Sequence, residues 1–129
     1  MTNANAPFFL PDTDEDAISS DVSGIGNLLV TTQVPMHADG SMGLDGDITA
    51  QSELTLMSLK TSLEKCGSSL EDVIHLTIYM TDMEDRPAFN EVYCRFFAKP
   101  YPVRCAVGVS ALADPAMRVE VTAMAVRRG

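Results

Sequence analysis

Between Asp47 and Ser110 the spacing of apolar residues switches back and forth between the helical and the extended period, which leaves few folds open to the chain. From Asp47, the residues Ala50, Leu54 and Met57, then Leu56, Leu59, Leu63 and Cys66, recur at three and four, with Asp47 as the cap and Gly67 as the stop. After a turn over residues 68–72, "VIHLTIYM" alternates. Ile74, Leu76, Ile78 and Met80 share one face, and Val73, His75, Thr77 and Tyr79 the other, as in a central strand with neither face strongly polar. Asp85, Arg86 and Pro87 open a second helix, with proline in the first turn, where its missing N–H costs little. Phe89, Val92, Tyr93, Phe96 and Phe97 form its core stripe, and Lys99-Pro100 ends it. Two strands follow, over about 103–110 and 118–126, joined by "ALADPAM".

Upstream, "AISSDVSGIGNLLVTTQVP" supplies a weak strand, a Ser/Gly turn at 23–26 and a stronger strand over 28–34, a hairpin signal. "MHADGSMGLDG" is a loop; its glycines do not cradle a phosphate, because Asp45 and Asp47 would repel one. Residues 1–16 are expected to be a loosely held arm with a solvated acidic stretch, and 17–129 a single domain. The order β-β-α-β-α-β-β, with two helices against one sheet, is an α+β two-layer domain. The uncovered sheet face carries Val, Met and Ala, and is expected to be buried against other subunits.

Nine basic residues against eighteen acidic ones give a formal charge of −9, which disfavours nucleic acid and anionic membrane as partners. The three cysteines fit neither a disulfide framework nor a metal pattern, and no metal site is expected. The acidic start lacks the features of a signal peptide, and no apolar run is long enough for a membrane span. A reducing, cytoplasmic location is the expectation.

The interior of each of the last two strands carries one ionised side chain. Alternation puts Arg104 with Ala106, Gly108 and Ser110, and Glu120 with Thr122 and Met124. An antiparallel hairpin centred near Leu112 would set Arg104 and Glu120 against each other on one side of the sheet. Such a pair can be a half-buried ion pair that pins the hairpin. Alternatively, with Ala106 and Gly108 leaving space beside it, the guanidinium can receive a small carboxylate through two parallel donors while a nearby carboxylate orients or deprotonates water. Thr31 and Thr32 offer hydroxyls and backbone N–H groups or are ordinary strand residues. Cys105 points away from Arg104 and reads as a buried core thiol; His75 reads as packing, and His37 lies in a turn.

Taken together, "GDITAQSELTLMSLKTSLEKCGSSLEDVIHLTIYMTDMEDRPAFNEVYCRFF", "PVRCAVGV" and "VEVTAMA" resemble the Rid (reactive intermediate deaminase, YjgF-type) family over about residues 24–128. The ordered set carries the likeness: helix-borne Gln51, "TIYMTD", "FNEVY..FF", a Pro-x-Arg strand and a final Val-Glu-Val. The resemblance implies a chorismate-mutase-like fold, with a mixed sheet and two helices on one face, in a homotrimer with clefts between subunits. It also implies cofactor-free hydrolysis of enamines and imines such as 2-aminoacrylate to 2-keto acids and ammonia. Carried over residue by residue, Arg104 grips the carboxylate of a 2-imino acid, Glu120 places the attacking water, and Asn90 lines the pocket. Departures are visible. "AISSDV" lacks the tyrosine that often lines the family pocket, Thr31-Thr32-Gln33 replaces Ser-Gly-Gln, and Ala106 stands where a cysteine is frequent. Readings of another kind are a non-catalytic carboxylate-binding or chaperone-like trimer, and a ribonuclease, against which the charge of −9 stands.

Overall fold

Asp47 caps the long helix as its side chain allows, accepting the Ala50 N–H at 2.9 Å, and Gly67 ends the segment in the left-handed region at φ 75°. The computed structural model describes residues 5–128. Its elements are β1 (Phe8–Pro11), β2 (Ser20–Ile25), β3 (Leu28–Gln33), α1 (Ile48–Lys65), β4 (Val73–Met80), α2 (Arg86–Phe96), β5 (Val103–Gly108) and β6 (Val119–Val126), with short 3₁₀ turns at Leu70–Asp72 and Met83–Asp85. Among the described residues the six strands form one mixed sheet in the order β1-β2-β3-β6-β4-β5.

The expected hairpin between the last two strands does not form. β5 runs parallel to β4, with Arg104 level with Leu76, while β6 lies antiparallel between β3 and β4, with Glu120 level with Tyr79. The reason is the helix between β4 and β5. A β-strand, helix, β-strand unit provides the crossover that parallel pairing needs, and the long connection after β5 lets the chain enter the sheet on the far side of β4.

Two further details differ from the sequence expectation. The segment around Phe8-Phe9-Leu10, placed in the N-terminal arm, pairs with β2 as the edge strand, and Phe8 and Leu10 pack against the core. The turn between β2 and β3 is Gly26-Asn27 rather than 23–26, with Gly26 at φ 58°. Gly24 instead lies inside β2, where a Cβ would meet the Leu28 carbonyl oxygen and the Phe8 ring.

Both helices lie on one face of the sheet. Their buried residues, Leu56, Leu59, Leu63, Phe89 and Val92, meet Leu76, Ile78, Val119, Val121, Ala123 and Ala125. Each fully buried Leu, Val or Phe contributes about 1.5–3 kcal/mol. Ile74 departs from the alternation expected of β4: an irregularity between Val73 and His75 turns Val73 inward and leaves Ile74 exposed. Leu54 and Met57 of α1 also stay out of the core, and Met57 is half exposed.

The helix-free face of the sheet is less apolar than expected. Strand register aligns Val30, Met124, His75 and Val103 in one row, Thr32, Thr122, Thr77 and Cys105 in the next, and Glu120, Tyr79 and Val107 in a third. The alanines of β6 are on the covered face, and the open face, expected to be free of charge, mixes Val, Met and hydroxyl groups with His75 and the Glu120 carboxylate. Cys105, expected in the core, is exposed here.

Candidate active site

Arg104 sits on the edge strand β5, on the face covered by helices, because it shares the orientation of buried Leu76. α2 supplies its surroundings. Its Nη2 donates to Oδ1 of Asn90, and its guanidinium carbon lies 4.4 Å from the centre of the Tyr93 ring. Tyr93 stacks on Phe97 with centroids 4.6 Å apart, and burial raises its phenol pKa, an effect the positive Arg104 opposes. Among the described residues Arg104 forms no ion pair. It is thus a half-buried cation held by a neutral amide oxygen and an aromatic face, with guanidinium donors left for an anion. Ala106 lies beside it on the same face.

Glu120 emerges on the opposite face. It lines a cleft of about 440 Å³ together with Ser20, Asp21, Thr31, Thr32 and Val34. Burial raises its carboxyl pKa above the ordinary value. Thr32 shares a hydrogen bond with Thr122 across the strands, hydroxyl to hydroxyl, at 2.8 Å. Thr31, by contrast, is buried, and its hydroxyl donates to the Asp21 carbonyl at 2.7 Å, so it serves the wall of the cleft.

The site residues therefore fall into two groups: Arg104, Asn90 and Ala106 in one, and Glu120, Thr31 and Thr32 in the other. Two strand spacings and three residues along a strand separate the Cα atoms of Arg104 and Glu120 by about 14 Å, with the side chains on opposite faces. No small substrate reaches both groups within one chain.

Two supporting networks had no isolated sequence signal. Arg118, two residues before Glu120, makes a two-pronged pair with buried Asp85, Nη2 to Oδ1 at 2.9 Å and Nε to Oδ2 at 3.1 Å. Gln51, recognisable only as part of a motif, is buried in α1. It donates to the Ala116 carbonyl at 2.9 Å and accepts the Arg118 N–H at 2.8 Å, which fixes the loop that leads into β6. The second network joins Asp21, Gln33, Thr31 and Ser62 behind the Glu120 cleft.

A mixed six-stranded sheet with two helices on one face, bearing a guanidinium without an ion-pair partner and a half-buried carboxylate on opposite sides, defines a class of small α+β protein. A family model for Endoribonuclease L-PSP matches residues 16–127, and the chain belongs to that family, which is the Rid/YjgF family. A RutC family protein of Pyrococcus abyssi is 35% identical over 102 residues, covering 78% of this chain and 80% of the relative. A 2-iminobutanoate/2-iminopropanoate deaminase of Dermatophagoides farinae is 30% identical over 103 residues, covering 79% and 80%. A crystal structure of a YjgF family member from Neisseria meningitidis superposes with a TM-score of 0.83 at 26% identity, covering 98% of this chain and 99% of the other. Among the described residues no helix is long and apolar enough to cross a membrane.

Proposed function

We propose that the chain is an enamine/imine deaminase that hydrolyses 2-imino acids to 2-keto acids and ammonia, working without a cofactor as a homotrimer. The observation that carries this reading is Arg104: a preorganised guanidinium with no carboxylate partner among the described residues. The mite relative named as a 2-iminobutanoate/2-iminopropanoate deaminase supports the substrate class. The trimer is supported by the helix-free sheet face, where Val103 is 71% exposed, and by the split of the site into two groups. Assembly brings the Arg104 group of one protomer to the Glu120 group of its neighbour. The three free thiols suit a reducing compartment such as the cytoplasm.

In the reaction, Arg104 binds the substrate carboxylate with two parallel donors and Asn90 holds the guanidinium in plane. On the imine protonated by solvent, the Glu120 carboxylate takes a proton from water as the water oxygen bonds to C2 and the C=N π pair moves to nitrogen, giving a neutral carbinolamine. Glu120 then returns that proton to the nitrogen, the hydroxyl proton passes to solvent, C2 becomes a carbonyl, and the C–N bond breaks to release ammonia. An enamine enters the same path after protonation at C3. Imines already hydrolyse in water, so positioning and a base of raised pKa suffice.

The test is 2-keto acid release from imines generated in situ by an amino-acid oxidase, comparing wild type with Arg104→Ala and Glu120→Ala. Acceleration that disappears with either substitution supports the reading. A folded trimer that gives no acceleration over the uncatalysed rate overturns the enzyme and leaves a carboxylate-binding module, which ligand titration of the same protein would detect.

A further inference from the structure

A second cavity, of about 330 Å³, opens on the outer side of α1, away from Arg104 and behind the Glu120 cleft. The loop 36–40 and the segment Asp12-Thr13 cover it, and Leu54, Met57 and Ser58 of α1 form one wall. Leu54 and Met57 are the large apolar residues of α1 that the core does not use. They combine with Met36 to make an apolar enclosure large enough for a molecule of roughly ten water volumes at ~30 Å³ each.

The floor of this cavity is polar, and its hydrogen bonds are unbalanced. Gln33 and Ser62 are both 6% exposed. The Gln33 amide N–H groups are taken up by Asp21 Oδ1 at 2.8 Å, Thr31 Oγ1 at 2.8 Å and Ser62 Oγ at 3.1 Å. The Ser62 hydroxyl donates to the Asp21 carboxylate, with Oδ2 at 2.8 Å, and Thr31 donates to the Asp21 carbonyl. Every side-chain donor of the floor is thus committed. What remains are acceptors: the Gln33 Oε1 and the unused lone pairs of a carboxylate that can take about four hydrogen bonds. Among the described residues Asp21 forms no ion pair. Lys65 and His37 also line the cavity without pairing with Asp21. The Asp21 charge is felt nearby: after burial, it is the next cause that raises the Cys66 thiol pKa.

A negative, donor-seeking floor under apolar walls selects a ligand that is all donor at one end and apolar at the other. We propose that this cavity is a second binding site, for a small primary alkylammonium ion, its N–H groups on Asp21 and Gln33 and its carbon body against Met36, Leu54 and Met57. The site is independent of the deaminase reading, because such an ion has no C=N bond to hydrolyse. It nevertheless adjoins the Glu120 cleft, since Asp21, Gln33 and Met36 line both.

The experiment is a ¹⁵N–¹H NMR titration of the whole chain with three probes of similar size: butylammonium, 1-butanol and butyrate. Butylammonium is expected to saturate one site per chain and to shift the amides of Gln33, Met36 and Ser58. 1-Butanol is expected to bind about tenfold more weakly, the loss of a charge-assisted hydrogen bond, and butyrate more weakly still. Asp21→Asn should weaken butylammonium by about tenfold, on the same reasoning. Met57→Trp changes an exposed residue at the mouth and should block entry in a folded chain even if Asp21→Asn fails to fold. Equal binding of 1-butanol and butylammonium, shifts that never saturate, or shifts unchanged in Met57→Trp would each overturn the proposal.

Discussion

Mixing Arg104→Ala chains with Glu120→Ala chains is expected to restore activity that neither variant has alone. β4 lies between β5 and β6, and Arg104 and Glu120 leave the sheet on opposite faces about 14 Å apart, so in the proposed trimer each working site takes one group from each of two protomers. In a cyclic trimer, any mixture of the two variants contains one boundary at which an intact Arg104 meets an intact Glu120. Random exchange makes about three quarters of trimers mixed, each with one competent site of three, so recovery should reach about one quarter of the wild-type rate in the whole mixture and about one third in the isolated mixed trimers. The assay unfolds and refolds the two chains together, separates mixed trimers by differently sized tags, and follows keto-acid release from oxidase-generated imine. Mixed trimers that stay at the level of the single variants would refute the split site.

Glu120, whose carboxyl is raised above 4.5 by burial, is expected to give the acid limb of the rate profile, with activity falling as the pH drops through that raised value and Glu120→Gln at the uncatalysed rate throughout. Stability has the opposite sign at this residue, because the protonated carboxyl favours the folded chain below the ordinary pKa and that advantage is lost as the pH rises through the folded one. Asp72 is held below 3.8 chiefly by its hydrogen bond from Arg128. The melting-temperature gap between wild type and Asp72→Asn should therefore be present above that value and close as the pH falls through the depressed one. Arg118→Ala strands the buried Asp85 carboxylate and should cost roughly 1–3 kcal/mol in denaturant unfolding. It should also lower keto-acid release more than an exposed control such as Arg95→Ala. Cys94 and Cys105 are both exposed in a single chain, but only Cys105 lies on the open sheet face; alkylation should be fast at Cys94 and slow at Cys105 in the assembled protein, and equal rates would argue against burial of that face.

The helices and the strand alternation were legible because they follow from local period. Asp47, Gly67 and Pro87 mark helix ends by backbone chemistry alone, and the faces of Arg104 and Glu120 follow from their parity within their strands. Pairing was not legible, since it depends on which strands a crossover joins. Reading β5 and β6 as a hairpin put Arg104 and Glu120 together when the intervening α2 already favoured β5 beside β4. Ile74 turned outward because one irregularity in β4 reverses parity, and no residue type announces it. Gln51 stood out as a motif, but its bonds to residues 116 and 118 cross more than sixty positions. Leu54 and Met57 obeyed the helical period and still missed the core, because period locates a face without saying what lies opposite.

The opposite-face placement of Arg104 and Glu120 has a further effect on the reading proposed here. A newly made or strongly diluted chain can fold and still be chemically silent, because neither group alone completes a reaction centre. Specific activity then becomes a readout of protein concentration, steepest near the point where trimers dissociate, and a dilution series reports assembly without any physical separation of the species.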